Sequence, residues 1–181
     1  MPTVLGIQTR STPEFRAGSA FLMVLVAHEA NMENARLRQP SDPEYCRALG
    51  EAVYTFSILE WNAVWICERI KPGALETLNP KTAGTIAKRL ITLAGSLRNT
   101  EDTTKLLNAA LRFDELVEQR NGLVHGRPGL DRADGLSKLF RAGELWTVEK
   151  IRNAADEFSQ CAITLNEYFH GFLSDLVQSE S

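Results

Sequence analysis

Apolar residues near the end of the chain recur at alternating steps of four and three positions. They are Ile151, Ala155, Phe158, Ala162, Leu165, Phe169, Phe172 and Leu176. This spacing places a continuous apolar stripe along one side of an α-helix. The pattern therefore predicts a long helix that begins after Thr147, runs to about Leu176 and packs against a neighbouring helix.

The prolines mark the ends of the other predicted helices. Thr12, Asp42 and Asn79 each stand immediately before a proline, and a capping side chain followed by a first-turn proline is typical of a helix N-terminus. The triplet Lys71-Pro72-Gly73 is typical of a helix stop. These signals predict helices near 13–37, 43–70 and 80–98, and a further helix from about 101 to 121–125.

The stretch from Gly126 to Trp146 separates the last two helices and is rich in glycine, aspartate and arginine. Within it, the segments 136–140 and 144–146 carry apolar residues on either side of Ala142-Gly143. Two such segments around a glycine-containing pair indicate a small β-hairpin, or otherwise a plain loop.

The run Ala20–Ala27 is apolar on every side, which predicts either a deeply buried helix or part of a subunit interface. Together the patterns predict an all-α fold, an up-down helical bundle of about five helices with a loop or small hairpin before the last long helix. We expect one domain over 1–181, with a core near 43–176 and an N-terminal helix near 13–37.

Composition narrows the class of protein but does not identify a function. Apolar residues make up 44% and charged residues 24% of the 181 positions, and the formal charge is −3, so a global attraction to nucleic acid or to an anionic membrane is not expected. Three cysteines without metal-ligand spacing favour a reduced, cytoplasmic compartment and predict no metal or other cofactor. The longest apolar run is too short to cross a bilayer, so we expect no membrane association.

Glu60 interrupts an apolar face of the second predicted helix, and Arg120 with Asn121 continues an apolar stripe of the fourth. A carboxylate on a buried stripe is costly unless it is paired. We hypothesise that Glu60 pairs with Arg120 and orients it. The alternatives are a structural salt bridge with another arginine, or an outward-pointing Glu60.

Arg120 and His125 offer the two side chains that metal-free phosphodiester chemistry needs. Arginine holds an anionic phosphate through a forked, permanent charge, and histidine moves protons near neutral pH. Five positions on one helix turn through about 140°, so the two side chains do not share a face. They meet if the helix ends near Gly122, or if a second subunit completes the site across a two-fold axis. A helix C-terminus at which both cations complement the dipole is the structural alternative.

Four basic residues follow the histidine: Arg127, Arg132, Lys138 and Arg141. They are candidates for an RNA-binding path, although a merely solubilising loop would have the same composition. Asp114, Glu115 and Glu118, on the helix before the histidine, are expected to lie on a solvated face. Trp61 and Trp65 are four positions apart and are expected to form a packing or dimer surface.

The motif Arg120-Asn121-x-x-x-His125, at the end of a long helix in an all-α domain, resembles the HEPN superfamily (higher eukaryotes and prokaryotes nucleotide-binding domains). The stretch Ala52–Glu60 is similar to the aromatic-then-acid pattern of that family. The resemblance covers roughly 43–176, and only the short motif is specific. It implies a metal-independent endoribonuclease whose active site forms where two motifs meet in a homodimer, often as a toxin or in phage defence.

By this resemblance, Arg120 binds the scissile phosphate, Asn121 fills the polar position after it, and His125 acts as general base or acid. The 2′-OH attacks its own phosphate and leaves a 2′,3′-cyclic phosphate and a 5′-OH end. One departure is Arg127, because some HEPN toxins paired with nucleotidyltransferase antitoxins carry a tyrosine at that position.

The expected partners are therefore an RNA substrate, a second copy of the chain, and an antitoxin or other regulatory protein. Two alternative functions remain open at this point. One is a non-catalytic helical interaction module, and the other is a nucleotide-binding regulator that uses the same arginine without cleaving a strand.

Overall fold

A computed structural model of the chain describes residues 41–174. The helix predicted near 13–37, the apolar run 20–27 and the last predicted residues from 175 onward lie outside this range. Within it the elements are α1 Pro43–Ile70, α2 Ala74–Leu78, α3 Ala83–Ser96, α4 Glu101–Val124, β1 Arg127–Leu130, β2 Ser137–Arg141, β3 Glu144–Leu145 and α5 Val148–His170. The expected fold class, a helical bundle with a small hairpin before the last long helix, is confirmed.

Helix starts follow the capping residues of the sequence, with one exception. The Asp42 carboxylate accepts the Glu44 backbone N–H at the start of α1, as its place before Pro43 predicts. The prediction that a helix begins at Pro80 is wrong, because α3 begins at Ala83, where the Thr82 hydroxyl caps the first turn. A residue that favours the N-cap position therefore does begin this helix, but it is Thr82 and not Asn79. The helix begins three positions later than Pro80 predicted.

The chain after α1 and the end of the last helix each show a feature that the sequence did not predict. The stop after Ile70 is confirmed, but the short helix α2 follows Gly73, whose φ of 88° places it in the left-handed region. The last helix runs to His170, residues 172–174 beyond Gly171 are helical again, and the predicted end near Leu176 lies outside the described residues. A Cβ atom at Gly171 would lie 2.8 Å from the Glu167 carbonyl oxygen, so the chain leaves the helix at a position where only glycine fits.

Three phenylalanines at the centre of the core join the three longest helices. The rings of Phe56 on α1 and Phe158 on α5 meet edge to face at 5.1 Å, and Phe113 on α4 lies 6.1 Å from Phe56. All three side chains are almost fully buried. Each buried ring contributes about 1.5–3 kcal/mol of hydrophobic stabilisation.

The helix directions follow from pairs of residues in contact. Arg152 at the start of α5 bonds Glu44 at the start of α1, and the Asn62 side-chain amide donates to the Ala162 carbonyl further along both helices. The helices α1 and α5 therefore run parallel and form the most extensive helix pair. The helices α4 and α5 are antiparallel. None of the helices in 41–174 is long and apolar enough to span a bilayer.

The segment before α5 forms a three-stranded antiparallel sheet in the order β1-β2-β3. The predicted hairpin around Ala142-Gly143 is confirmed as β2 and β3. The strand β1 was not predicted, and it pairs Arg127 with Phe140. The Tyr45 hydroxyl on α1 accepts the Leu139 backbone N–H at 2.9 Å, so the sheet is fixed to the helical core.

Candidate functional site

The candidate motif lies at the C-terminal end of α4, which continues through Gly122 to Val124. The helix predicted from about 101 to 121–125 is confirmed, whereas the alternative in which it ends near Gly122 is not what the structure shows. His125 is the C-cap residue, and its backbone N–H still donates to the Asn121 carbonyl at 3.0 Å. Its side chain is exposed and stands at the point where the chain turns into β1.

Gly122 allows a close contact instead of ending the helix. It is buried in the last turn of α4, and a Cβ atom there would lie 2.6 Å from Cζ2 of Trp146. The indole of Trp146, which immediately precedes the α5 cap, therefore packs directly on the helix backbone. This contact ties the end of α4 to the start of α5.

A cavity of about 450 Å³ opens beside this helix end. Its lining residues come from two helices: Thr82, Ala83, Gly84 and Lys88 from the start of α3, and Asp114, Val117, Glu118, Arg120, Asn121 and His125 from the end of α4. The volume is in the range of small-molecule and nucleotide pockets. The three motif side chains predicted from the sequence thus line one cavity of a single chain.

The helical geometry explains how residues five positions apart reach the same cavity. Asn121 and His125 are one turn apart and lie on the same face of α4, together with Glu118. Arg120 points about 100° away from Asn121 around the helix, yet it lines the same cavity. A single subunit therefore supplies both the cation and the imidazole.

Arg120 is half-buried and is held by neighbours other than the predicted carboxylate. Its guanidinium carbon lies 5.3 Å from the centre of the Phe56 ring, a cation–π distance. Its Nη1 donates to the Asn121 side-chain oxygen at 3.3 Å. Within 41–174, Arg120 forms no salt bridge, so its charge is available to a ligand.

Glu60 is half-buried near Arg120 without forming the expected ion pair. Burial raises the pKa of Glu60 above its ordinary value, and the attraction of Arg120 lowers it by less. The carboxylate therefore acts on the guanidinium through space and does not fix its orientation. The direct contacts that position Arg120 come from Phe56 and Asn121.

Three charged residues of the cavity were not predicted as part of a site. Asp114 and Glu118 had been assigned to a solvated face, although their spacing to Asn121 and His125 places all four on one side of α4. Lys88 lies on α3, and no spacing within one helix could connect it with a motif on another.

The four basic residues after the histidine fall into two groups, and none of them lines the cavity. Lys138 is paired with Asp131 at 2.8 Å and with Asp134, which holds the pKa of its ammonium above the usual range. The Arg141 guanidinium donates to the Asn121 carbonyl at 3.1 Å. Both side chains therefore stabilise the sheet and its contact with α4.

Arg127 and Arg132 form the second group. Both are exposed, and neither takes part in a salt bridge within the part of the chain that the structure describes. Arg127 directly follows the helix end, two residues after His125. Of the four basic residues after the histidine, these two have charges that no salt bridge within 41–174 neutralises.

The tryptophans lie elsewhere, on an exposed side of α1. Trp61 and Trp65 are 45% and 37% exposed, meet edge to face at 5.9 Å and line a separate cavity with Phe169 and His170. Among residues 41–174, no three His, Cys, Asp or Glu side chains are grouped so that they could hold a metal ion.

Comparison of the chain with protein-family models, with curated proteins and with solved structures gives no match.

Proposed function

We propose that this protein is a metal-independent endoribonuclease of the HEPN type. The observation that carries the proposal is that Arg120, Asn121 and His125 line one cavity at the end of α4. Arg120 is free of salt bridges within 41–174, and the His125 side chain is exposed. A guanidinium and an accessible imidazole that line the same cavity are suited to cleavage of a phosphodiester bond by phosphoryl transfer.

In the proposed reaction, Arg120 binds the non-bridging oxygens of the scissile phosphate. His125 removes the proton of the 2′-OH, whose oxygen attacks the phosphorus while the bond to the 5′-oxygen breaks. A proton passes to that leaving oxygen, and the products carry a 2′,3′-cyclic phosphate and a 5′-OH. Arg120 stabilises the extra negative charge of the transition state, the task in which one positioned donor contributes about 100- to 1000-fold in rate.

A homodimer would bring two copies of this helix end to one RNA. One His125 would then take the proton from the 2′-OH as base, and the other would give a proton to the leaving 5′-oxygen as acid, so that neither has to fill both roles in one turnover. The proposal includes a toxin or phage-defence role in the cytoplasm, in which an antitoxin or other regulatory protein restrains the activity. This part of the proposal rests on the resemblance of the motif.

The test is cleavage of single-stranded RNA in EDTA by the wild-type chain, Arg120→Ala and His125→Ala. We expect each substitution to lower the rate by at least about 100-fold. Arg98→Ala and His170→Ala are the matched controls, because both side chains are exposed and lie outside the cavity. Thermal unfolding of every variant separates loss of chemistry from loss of fold, since Arg120 also packs on Phe56.

Each outcome has a distinct meaning. Cleavage that survives both substitutions, or that requires a divalent metal, contradicts the mechanism. A stable dimer that cleaves no RNA favours the non-catalytic interaction module. Binding of a nucleotide that depends on Arg120, again without cleavage, favours the nucleotide-binding regulator.

A further inference from the structure

Lys88 is the cation on the opposite wall of the motif cavity. It lies on α3, one helical turn after Gly84, and both residues face α4 across the cavity. Arg120 and Lys88 therefore present positive charge from two different helices to the same space. The core of the bundle fixes these helices, because α3 and α4 pack closely against each other.

The charge of Lys88 has no carboxylate partner within 41–174, unlike several other lysines of the chain. Lys105, Lys138 and Lys150 each form a salt bridge. Asp114 lines the same cavity as Lys88, yet no salt bridge joins them. The ammonium is exposed, so a ligand in the cavity can reach it.

The two carboxylates of the cavity restrict where an anion can lie. Asp114 and Glu118 both belong to the α4 wall, and a phosphate placed against them would be repelled. The space between Arg120 and Lys88 is therefore the electrostatically favourable track.

We propose that Lys88 binds the phosphate next to the scissile one, so that the substrate is an RNA carrying at least two consecutive phosphates at the site. This inference rests on the proposed function, in which Arg120 holds the scissile phosphate. Lys88 does not touch the reacting atoms. It is a substrate-selecting residue, and a flexible ammonium suits a phosphate that needs attraction more than a fixed geometry.

The experiment compares RNA substrates of matched sequence with one phosphate or two. A dinucleoside monophosphate carries only the scissile phosphate, and the same molecule with a terminal 5′- or 3′-phosphate adds a neighbour on one side. We expect the wild type to cleave one of the two extended substrates with a kcat/KM about tenfold higher, as one charge-assisted hydrogen bond would give. In Lys88→Gln that preference should fall to near one.

Lys81→Gln is the matched control, because Lys81 is exposed near the same helix start but does not line the cavity. It should keep the wild-type preference. A preference that persists in Lys88→Gln, or that falls equally in Lys81→Gln, overturns the proposal. A change in kcat alone would also contradict it, since the lysine is assigned to binding.

Binding of 2′-O-methyl versions of the same substrates separates this proposal from the proposed function. The methylated strands cannot be cleaved, so their affinity and salt dependence report on the site alone. We expect Lys88→Gln to weaken binding of the two-phosphate strand about tenfold and to reduce the salt slope by about 0.7.

If the wild-type protein cleaves no RNA, yet its binding of the methylated strands depends on Lys88, the proposed function fails and the phosphate site stands. If cleavage depends on Arg120 and His125 but neither assay responds to Lys88, the proposed function stands and the site is overturned. A wild type that neither cleaves nor binds these strands overturns both.

Discussion

The indole of Trp146 lies so close to Gly122 that a Cβ atom on the glycine would approach Cζ2 of the ring to 2.6 Å. The contact joins the last turn of α4 to the residue just before α5, beside a second cavity that shares Glu118 with the motif cavity. It explains why a glycine stands inside a continuous helix. It also fixes the direction in which α4 presents Asn121 and His125.

We predict that Gly122→Ala lowers the free energy of unfolding by about 1–3 kcal/mol, the usual cost of forcing extra volume into a packed contact. This loss outweighs the gain of up to about 1 kcal/mol that alanine brings to a helix interior. Gly50→Ala on α1 is the control, because nothing lies within 4 Å of an added Cβ there, and it should be stabilising. Urea unfolding of both variants is the measurement, and equal stabilisation by both would contradict the account.

The hairpin turn carries a second local test. Ala142 has φ 52°, and the next residue, Gly143, has φ 84°, so a residue with a Cβ occupies the left-handed region. We predict that Ala142→Gly stabilises the protein by about 0.5–1 kcal/mol, because it relieves this strain. Gly143→Ala should destabilise it by about 1 kcal/mol or more. If both variants lose stability in urea unfolding, the assigned turn is incorrect.

Glu60 predicts a dependence of stability on pH. Because burial raises its pKa, the folded chain keeps this proton at pH values where the unfolded chain has lost it. The stability from this group is full below the ordinary pKa of 4.5 and is lost as the pH rises from there through the folded pKa. Glu60→Gln should therefore be more stable than the wild type at neutral pH, and this advantage should shrink in acid.

The measurement for Glu60 is the unfolding midpoint of both proteins across this pH range. A wild type that is more stable than Glu60→Gln at neutral pH would mean that the attraction of Arg120 outweighs burial. The sequence hypothesis of a tight pair would then regain support.

The basic residues after the histidine should separate into binding and structural groups. Arg127→Gln and Arg132→Gln should leave stability within about 0.5 kcal/mol, and each should lower the salt slope of RNA binding by about 0.7. Arg141→Gln should cost about 0.5–1.5 kcal/mol, because it removes the bond to the Asn121 carbonyl. Lys138→Gln should also lower stability, and a stable Lys138→Gln with a reduced salt slope would contradict this division.

Much of the fold follows from local signals, because helix caps and apolar periodicity act within a few residues. The bounds of α1 agree with the prediction from Asp42 and Lys71. The start of α3 was misplaced because a proline can follow a capping-type residue in a turn as well as in a helix. The strand β1 has four residues, including Pro128 and Gly129, and its pairing with β2 is a tertiary contact that its own sequence does not encode.

Only the part of the candidate site that lies on one helix, α4, could be predicted from the sequence. Arg120, Asn121 and His125 were found from one short motif, and their common cavity is consistent with that grouping. The role of Gly122 was misassigned, since helix termination and close packing select the same residue. Lys88 was missed because its place beside the motif depends on how α3 and α4 pack. A sequence pattern within one helix does not predict how that helix packs against another.

The most direct test of the central claim is the chemistry of the RNA ends after incubation in EDTA. Mass spectrometry should find a 2′,3′-cyclic phosphate and a 5′-OH at the cleavage site, and a single 2′-deoxy nucleotide at that site should abolish cleavage there. The wild type should give these products and His125→Ala should not. Linear 3′-OH and 5′-phosphate ends, or cleavage next to the 2′-deoxy nucleotide, would contradict attack by the 2′-OH at the Arg120–His125 site.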